Sequence, residues 1–379
     1  MNVQPTRGWL RWFAPILLTG GAAALGYGLA LYPIWHRVHE GRDVATSGTA
    51  LDDAKPRSSV LDAYSEESGV AVAGFDEVSW LVPTVMTPFV GYGPAPGRQG
   101  KAFITPNQFR GGRELTMPKP PGVTRVFITG GSVAFGSGAP GDDRTIGAYL
   151  QNALDRLGKR KYEVFTLATP GWVSTHARIA IENRISEMQP DLVVWLTGGA
   201  DLLASESGKN VFWSRSDTDQ YYWSLANAAL KQSGWGRMVD VQDVSPRAVP
   251  PEIVAARLRR NVDLAALALS MHGARLHVFL EPNIVTTRKP LSAAERTILT
   301  TETSAPFADR REYYARCHER IEAVFRNRKL PANVSYADLV DVFDETAKAQ
   351  TVFVDGFRFG DRGNSVIADA IGKALTAEN

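Results

Sequence analysis

Cysteine is nearly missing from this chain: Cys317 is the only one in 379 residues. That excludes an intrachain disulfide, a multi-cysteine zinc site and a cysteine-ligated iron–sulfur cluster. Histidine is scarce as well, with six: His36, His39, His176, His272, His277 and His318. Only His36 and His39 stand at a metal-ligand spacing, and they flank an apolar segment that suits a membrane interface better than a metal. No metal and no cofactor is therefore expected. Neither sign of charge is in excess, since 42 Lys and Arg face 40 Asp and Glu for a formal net charge of +2. A nucleic-acid binder concentrates its basic residues on one face, so a nucleic-acid partner is not expected. No internal repeat and no low-complexity tract is present.

What the chain does have is one long uncharged run. From Trp12 to Leu31 every residue except Thr19 is apolar, small or aromatic. About twenty such residues span a bilayer core as a helix. A cleaved signal peptide is the rival reading, with Arg7 and Arg11 as its positive region. The run is long for that, however, and it continues into bulky Tyr32, Pro33, Ile34 and Trp35 rather than a small-residue cleavage site. The expectation is a retained single-pass helix over 12–35 after a short tail, 1–11. Its lipid bilayer partner would be met at the interfaces by Trp12, Phe13, Tyr32 and Trp35. Basic residues flank both ends, so charge alone barely orients it. The short N-terminal tail and large C-terminal part suggest a cytoplasmic N-terminus and a periplasmic or otherwise extracytoplasmic domain. Gly20, Ala24 and Gly28 recur at four-residue spacing. Such a stripe lets helix backbones approach closely in lipid and suits packing against other transmembrane subunits.

Residues 36–79 read as a linker or stalk, polar and without periodicity over 40–72. Residues 80–122, rich in Pro and Gly, read as an irregular segment wrapping the main domain. Beyond them, over 123–379, apolar β-branched runs alternate with segments of helical period. The strand candidates are 125–129, 163–168, 192–197, 277–281 and 334–339. The helix candidates are 145–157, 174–188, 251–271, 306–327 and 363–375. Alternation of this kind predicts about five parallel strands covered by helices on both faces. Ligands of such sheets bind beyond the carboxyl ends of the strands.

The chemistry-bearing motifs fall at those ends. Ser132 follows the first strand in Thr129-Gly130-Gly131-Ser132-Val133-Ala134-Phe135-Gly136. Glycines beside a serine permit a tight turn that presents its hydroxyl and nearby N–H groups. No lysine follows, so this is not a P-loop. Ala134 stands where a Gly-x-Ser-x-Gly elbow needs its second glycine. The second strand leads into Thr169-Pro170-Gly171-Trp172, the third into Gly198-Gly199-Ala200-Asp201. Near the end stands Asp355-Gly356-Phe357-Arg358, followed by a helix.

In this order the four blocks resemble the SGNH (GDSL-like) hydrolase family, over roughly residues 100–377. Asn107-Gln108-Phe109-Arg110-Gly111 resembles the lead-in of its membrane-anchored members. The resemblance implies a flavodoxin-like three-layer α/β/α fold and ester hydrolysis or acyl transfer. It places the nucleophile at Ser132 and an oxyanion glycine at Gly171. The oxyanion asparagine of the third block falls at Ala200, and the Asp and His of the fourth fall at Asp355 and Arg358. Arginine stays protonated in proteins and cannot take a proton from serine. Losing one oxyanion donor costs about 100- to 1,000-fold in rate, and losing the base of a serine triad about a millionfold. The one histidine placed to substitute is His176, five residues past Gly171.

Two readings follow. One is a membrane-anchored, catalytically inactive domain serving as an accessory or scaffold subunit of a membrane complex, with respiratory, photosynthetic and envelope assemblies all compatible. The other is a membrane-anchored esterase or O-acyltransferase that uses Ser132 with a relocated base.

Overall fold

The computed structural model describes residues 60–68, 82–157, 160–208, 226–234, 248–304, 308–344 and 350–377. The expected transmembrane helix, with Gly20, Ala24 and Gly28, lies outside the described residues. Among those described, no helix is long and apolar enough to cross a membrane.

Five parallel strands form the central sheet: β5 (Val123–Gly130), β6 (Lys161–Thr166), β7 (Leu192–Thr197), β8 (Arg275–Leu280) and β9 (Val334–Asp338). Their order is β6-β5-β7-β8-β9. Counted among themselves this is 2-1-3-4-5, the flavodoxin-like doubly wound order, whose switch point lies between the first and third strands. These strands read as continuous apolar runs because both faces are covered. Val126, Ile128, Val194, Leu196 and Phe279 pack on one side with α2 (Ile146–Arg156) and α8 (Asp361–Ala377). Phe127, Val193, Trp195, Leu276 and Val278 pack on the other with α3 (Ser174–Ala180), α5 (Pro251–Ser270) and α7 (Arg310–Arg326). The period of two along each strand thus feeds two separate cores.

Each predicted strand and helix has a counterpart; the helix expected over 174–188 is α-helical only to Ala180 and continues as a π segment (Ile181–Ile185) and a 3-10 turn (Ser186–Met188), while the other ends shift by a few residues. Elements that were not expected include α1 (Ser132–Phe135), α4 (Gly199–Glu206) and α6 (Ala293–Glu302). Residues 82–122, expected to be irregular, hold two short antiparallel hairpins, β1 (Thr84–Thr87) with β2 (Gly91–Pro94) and β3 (Gly97–Gln99) with β4 (Ala102–Ile104). This segment reaches the sheet at its β6 edge, where the Arg110 N–H donates to the Thr166 carbonyl at 3.1 Å. Within the expected linker, residues 60–68 are bound to the domain. The Tyr64 hydroxyl donates to the Gly138 carbonyl at 2.9 Å, and Asp361 accepts from the Ser65 N–H at 2.8 Å and its hydroxyl at 2.5 Å.

One carboxylate fixes the C-terminal motif segment. Glu295 sits in the first turn of α6 in a capping box with Ser292, a pairing that satisfies otherwise orphaned helix-start donors. Its Oε1 accepts the N–H groups of Val352 and Phe353 at 2.9 and 3.2 Å. Its Oε2 accepts the Ser292 N–H at 2.8 Å and the Lys289 ammonium at 2.6 Å, both charged side chains being fully buried. A buried pair that loses one partner strands the other charge. Glu295→Gln is therefore expected to cost about 3–5 kcal/mol in urea unfolding. A loss within about 0.5 kcal/mol, the range of ordinary surface substitutions, would contradict this.

Candidate functional site

The site is built where β5 and β7 end. Gly130 has φ +146°, and a Cβ there would stand 2.2 Å from the Leu196 carbonyl oxygen, a separation that admits only glycine. The chain then turns through Gly131, the residue before α1, and Ser132 is the first residue of that short helix. A Cβ on Gly131 would lie 3.0 Å from the Trp172 carbonyl oxygen and 3.7 Å from the Ala200 Cβ. The first, second and third blocks therefore meet around Gly131. Gly171 adopts φ +84° beside Trp172, a left-handed turn suited to glycine. The fourth block reaches the third through Phe357, whose ring edge would lie 3.1 Å from a Cβ on Gly199.

Ser132 is half-buried, and among the described residues its hydroxyl makes no hydrogen bond. Asp355 is turned to other work. Its Oδ1 accepts the N–H groups of Phe357 and Arg358 at 2.9 and 2.7 Å, the self-bonded turn that aspartate favours. Its Oδ2 lies 2.5 Å from Arg358 Nε. One oxygen of this carboxylate is taken by its own turn; the other makes no hydrogen bond and is met by the charge of the arginine that stands where the resemblance expects a base. Ala200 offers a methyl group where the resemblance expects an amide donor.

His176 is held by its own turn and by aromatic neighbours. It lies in the first turn of α3, almost fully buried, and its Nδ1 accepts the Val173 N–H at 3.2 Å. Its ring packs edge-on to Tyr92 at 5.4 Å and parallel to Trp172 at 6.5 Å between centroids. Ser132 is not among its hydrogen-bond partners.

Glu281, the residue just past β8, carries no expected role in the sequence reading. Its Oε2 accepts the Gly199 N–H at 3.0 Å at the start of α4, while its Oε1 is buried without a partner. Burial, reinforced by nearby Asp201, pushes its carboxyl up to about 7. Glu281 and Trp195, whose indole N–H is also buried and unmatched, line one small cleft together with Gly130, Gly131, Ala200 and Asp201. Asp201 itself accepts the Ser174 N–H at 2.8 Å and its hydroxyl at 2.6 Å, which ties α4 to α3. The signal for Glu281 was a carboxylate at the carboxyl end of a parallel strand, in Leu280-Glu281-Pro282. The domain has a flavodoxin-like three-layer α/β/α fold.

No protein-family model matches the chain, and no curated protein matches it significantly. Solved structures similar to it include the lipase Lip_vut3 from a goat rumen metagenome, at 10% identity and a TM-score of 0.41, covering 66% of this chain and 97% of that one. The α/β hydrolase LAE5 from the metagenome of Lake Arreo, Spain, is similar at 15% identity and a TM-score of 0.40, covering 68% and 96%. A GDSL-like lipase from Bacteroides thetaiotaomicron is similar at 12% and 0.38, covering 70% and 93%. The likeness is low in sequence and in superposition, so the architecture rests on the strand order and on the meeting of the motif blocks at one rim.

The raised carboxyl of Glu281 makes stability depend on pH with a definite sign. The native state holds this proton more tightly than the unfolded chain, whose carboxyl titrates near 4.5. Glu281 therefore lowers stability as pH rises from about 4.5 to about 7, because unfolding then releases a carboxyl that prefers to ionise. Urea unfolding across that window should show Glu281→Gln losing less stability than the unchanged protein. Parallel curves for the two proteins would refute the assignment.

Proposed function

We propose that this is a catalytically silent SGNH-like domain, anchored by the segment 12–35 and acting as an accessory or scaffold component of a membrane protein complex. The observation that carries the reading is the Asp355–Arg358 pair, with Arg358 Nε 2.5 Å from Asp355 Oδ2. A serine hydroxyl needs a neighbouring acceptor to become a nucleophile near neutral pH. The Ser132 hydroxyl makes no hydrogen bond among the described residues, and His176 Nδ1 is committed to the Val173 N–H. The methyl of Ala200 is a second, independent deficit, since an oxyanion donor contributes through the developing negative charge and not through the base. The membrane half of the reading rests on sequence: the uncharged run 12–31 and the stripe Gly20, Ala24 and Gly28. With the domain on the periplasmic or extracytoplasmic side, the helix would pack against other transmembrane subunits.

One observation favours the alternative, a membrane-anchored esterase or O-acyltransferase. Glu281 is a carboxyl poised to titrate near neutral pH in a cleft that shares Gly131 and Ala200, and perturbed groups in clefts mark candidate sites.

Hydrolysis of p-nitrophenyl acetate separates the two. The full-length chain in mild detergent is expected to match its Ser132→Ala variant, and Glu281→Gln is expected to change nothing. Ala200→Asn combined with Arg358→His should create Ser132-dependent turnover, of which the restored donor alone is worth about 100-fold or more. Co-purification of defined membrane subunits supports the scaffold role. A chain that runs alone and loses turnover on Ser132→Ala overturns it.

A further inference from the structure

Three groups that suit a metal meet at the carboxyl end of β9, the strand farthest from β5 on that side of the sheet. His318 and Glu322 are four residues apart on α7, so their side chains share one face of the helix. Asp338 is the last residue of β9, the edge strand of the sheet. One donor atom from each lies within 4.8 Å of the other two. The elements that carry them are fixed against each other by Phe325 and Tyr336, stacked at 4.3 Å between centroids and 11° between planes.

The donors are oriented from outside as well. The Tyr336 hydroxyl donates to Glu322 Oε1 at 2.5 Å, and the Val340 N–H donates to Asp338 Oδ1 at 2.9 Å. Outer partners of this kind preset the carboxylates of metal sites. The other carboxylate oxygens meet cationic or proton-bearing groups: Asp338 Oδ2 is 2.6 Å from His318 Nε2, and Glu322 Oε2 pairs with Arg326. A metal would take the place of the His318 Nε2 proton, which binding releases. Arg326 is largely exposed while Glu322 is mostly buried, so the arginine is free to swing into solvent. Asp341 adds negative potential at His318 while itself pairing with Arg288.

We propose that His318, Glu322 and Asp338 form a binding site for a divalent first-row transition metal, of which zinc is the working case. One imidazole nitrogen with two carboxylates suits zinc better than calcium or magnesium, which favour all-oxygen shells. Water completes the shell on the solvent side, and the ion ties α7 to the sheet edge. The site shares no residue with the Ser132 rim and stands whether or not that rim turns over substrate.

The test uses the full-length chain in mild detergent, stripped with chelator and titrated with zinc chloride alone. His36 and His39 are replaced by alanine in every sample, because that pair is a competing ligand set. The expected result is one equivalent bound per chain and a rise in melting temperature. His318→Ala should weaken binding more than about 100-fold, beyond the loss typical of an outer-shell change. Asp338→Asn and Glu322→Gln keep the size of each side chain and should each weaken binding at least about tenfold. Both are checked for an unchanged circular dichroism spectrum, which keeps the test valid if His318→Ala fails to fold. His272→Ala, on an exposed turn, should bind as before. X-ray absorption should show nitrogen and oxygen neighbours at about 2.0–2.2 Å. Absence of saturable binding, or binding that survives both Asp338→Asn and Glu322→Gln, would overturn the site.

Discussion

The contact between the end of β5 and the backbone of β7 is the constraint on which the site depends. At Gly130 there is no room for a Cβ beside the Leu196 carbonyl, and at Gly131 little room beside that of Trp172. Backbone therefore packs on backbone at the switch point of the sheet, and the turn to Ser132 follows from that approach. Nothing in this constraint involves a catalytic group. The frame of the rim is held by glycines and by β-ladder hydrogen bonds, so it does not depend on the chemistry of the side chains at 200 and 358. A glycine turn that leads into a serine is thus evidence about packing before it is evidence about chemistry.

The same separation governs what the sequence reveals. The five strands were legible because a sheet covered on both faces needs unbroken apolar runs, as in Leu192–Thr197. The long helices were legible because each has one apolar face and lies between strands or, for α8, after the last of them. Short α4 was hidden inside a motif, Gly198-Gly199-Ala200-Asp201, whose glycines read as a turn. For α6 the Ser292–Glu295 capping box was present as a local signal, but its threonine-rich body lacks a strong apolar stripe. The hairpins at 84–104 escaped because Gly and Pro fill strand positions there, where neighbouring loops and not a core decide the conformation.

Site residues divide in a similar way. Ser132, Gly171, Ala200 and the Asp355–Arg358 pair stand in local sequence blocks, and the structure adds only what each touches. Glu281 and the His318–Glu322–Asp338 group are different. Their significance comes from tertiary neighbours: an unmatched indole N–H across a cleft, or a strand end brought under a helix face. His318 and Glu322 sit four apart in plain view, yet their third member lies on β9, and only the pairing of β9 with β8 and its covering by α7 bring it close. No reading of spacing along the chain recovers a partner of that kind.

The charges around the fourth block show why arginine is stable at position 358. Gly356 has the Glu302 carboxylate against it, since a Cβ there would lie 2.8 Å from the Glu302 carboxyl carbon. Burial and the nearby Asp355 push the Glu302 carboxyl up, while Arg310 and Arg358 pull it down. Arg310 in turn bridges Glu302 and Glu206. Three carboxylates and two arginines therefore share one partly buried neighbourhood, in which each cation offsets more than one anion. A neutral histidine at 358 would leave Asp355 and Glu302 facing each other with less compensation. The arginine satisfies a local balance of buried charge that a neutral side chain at the same place would leave open.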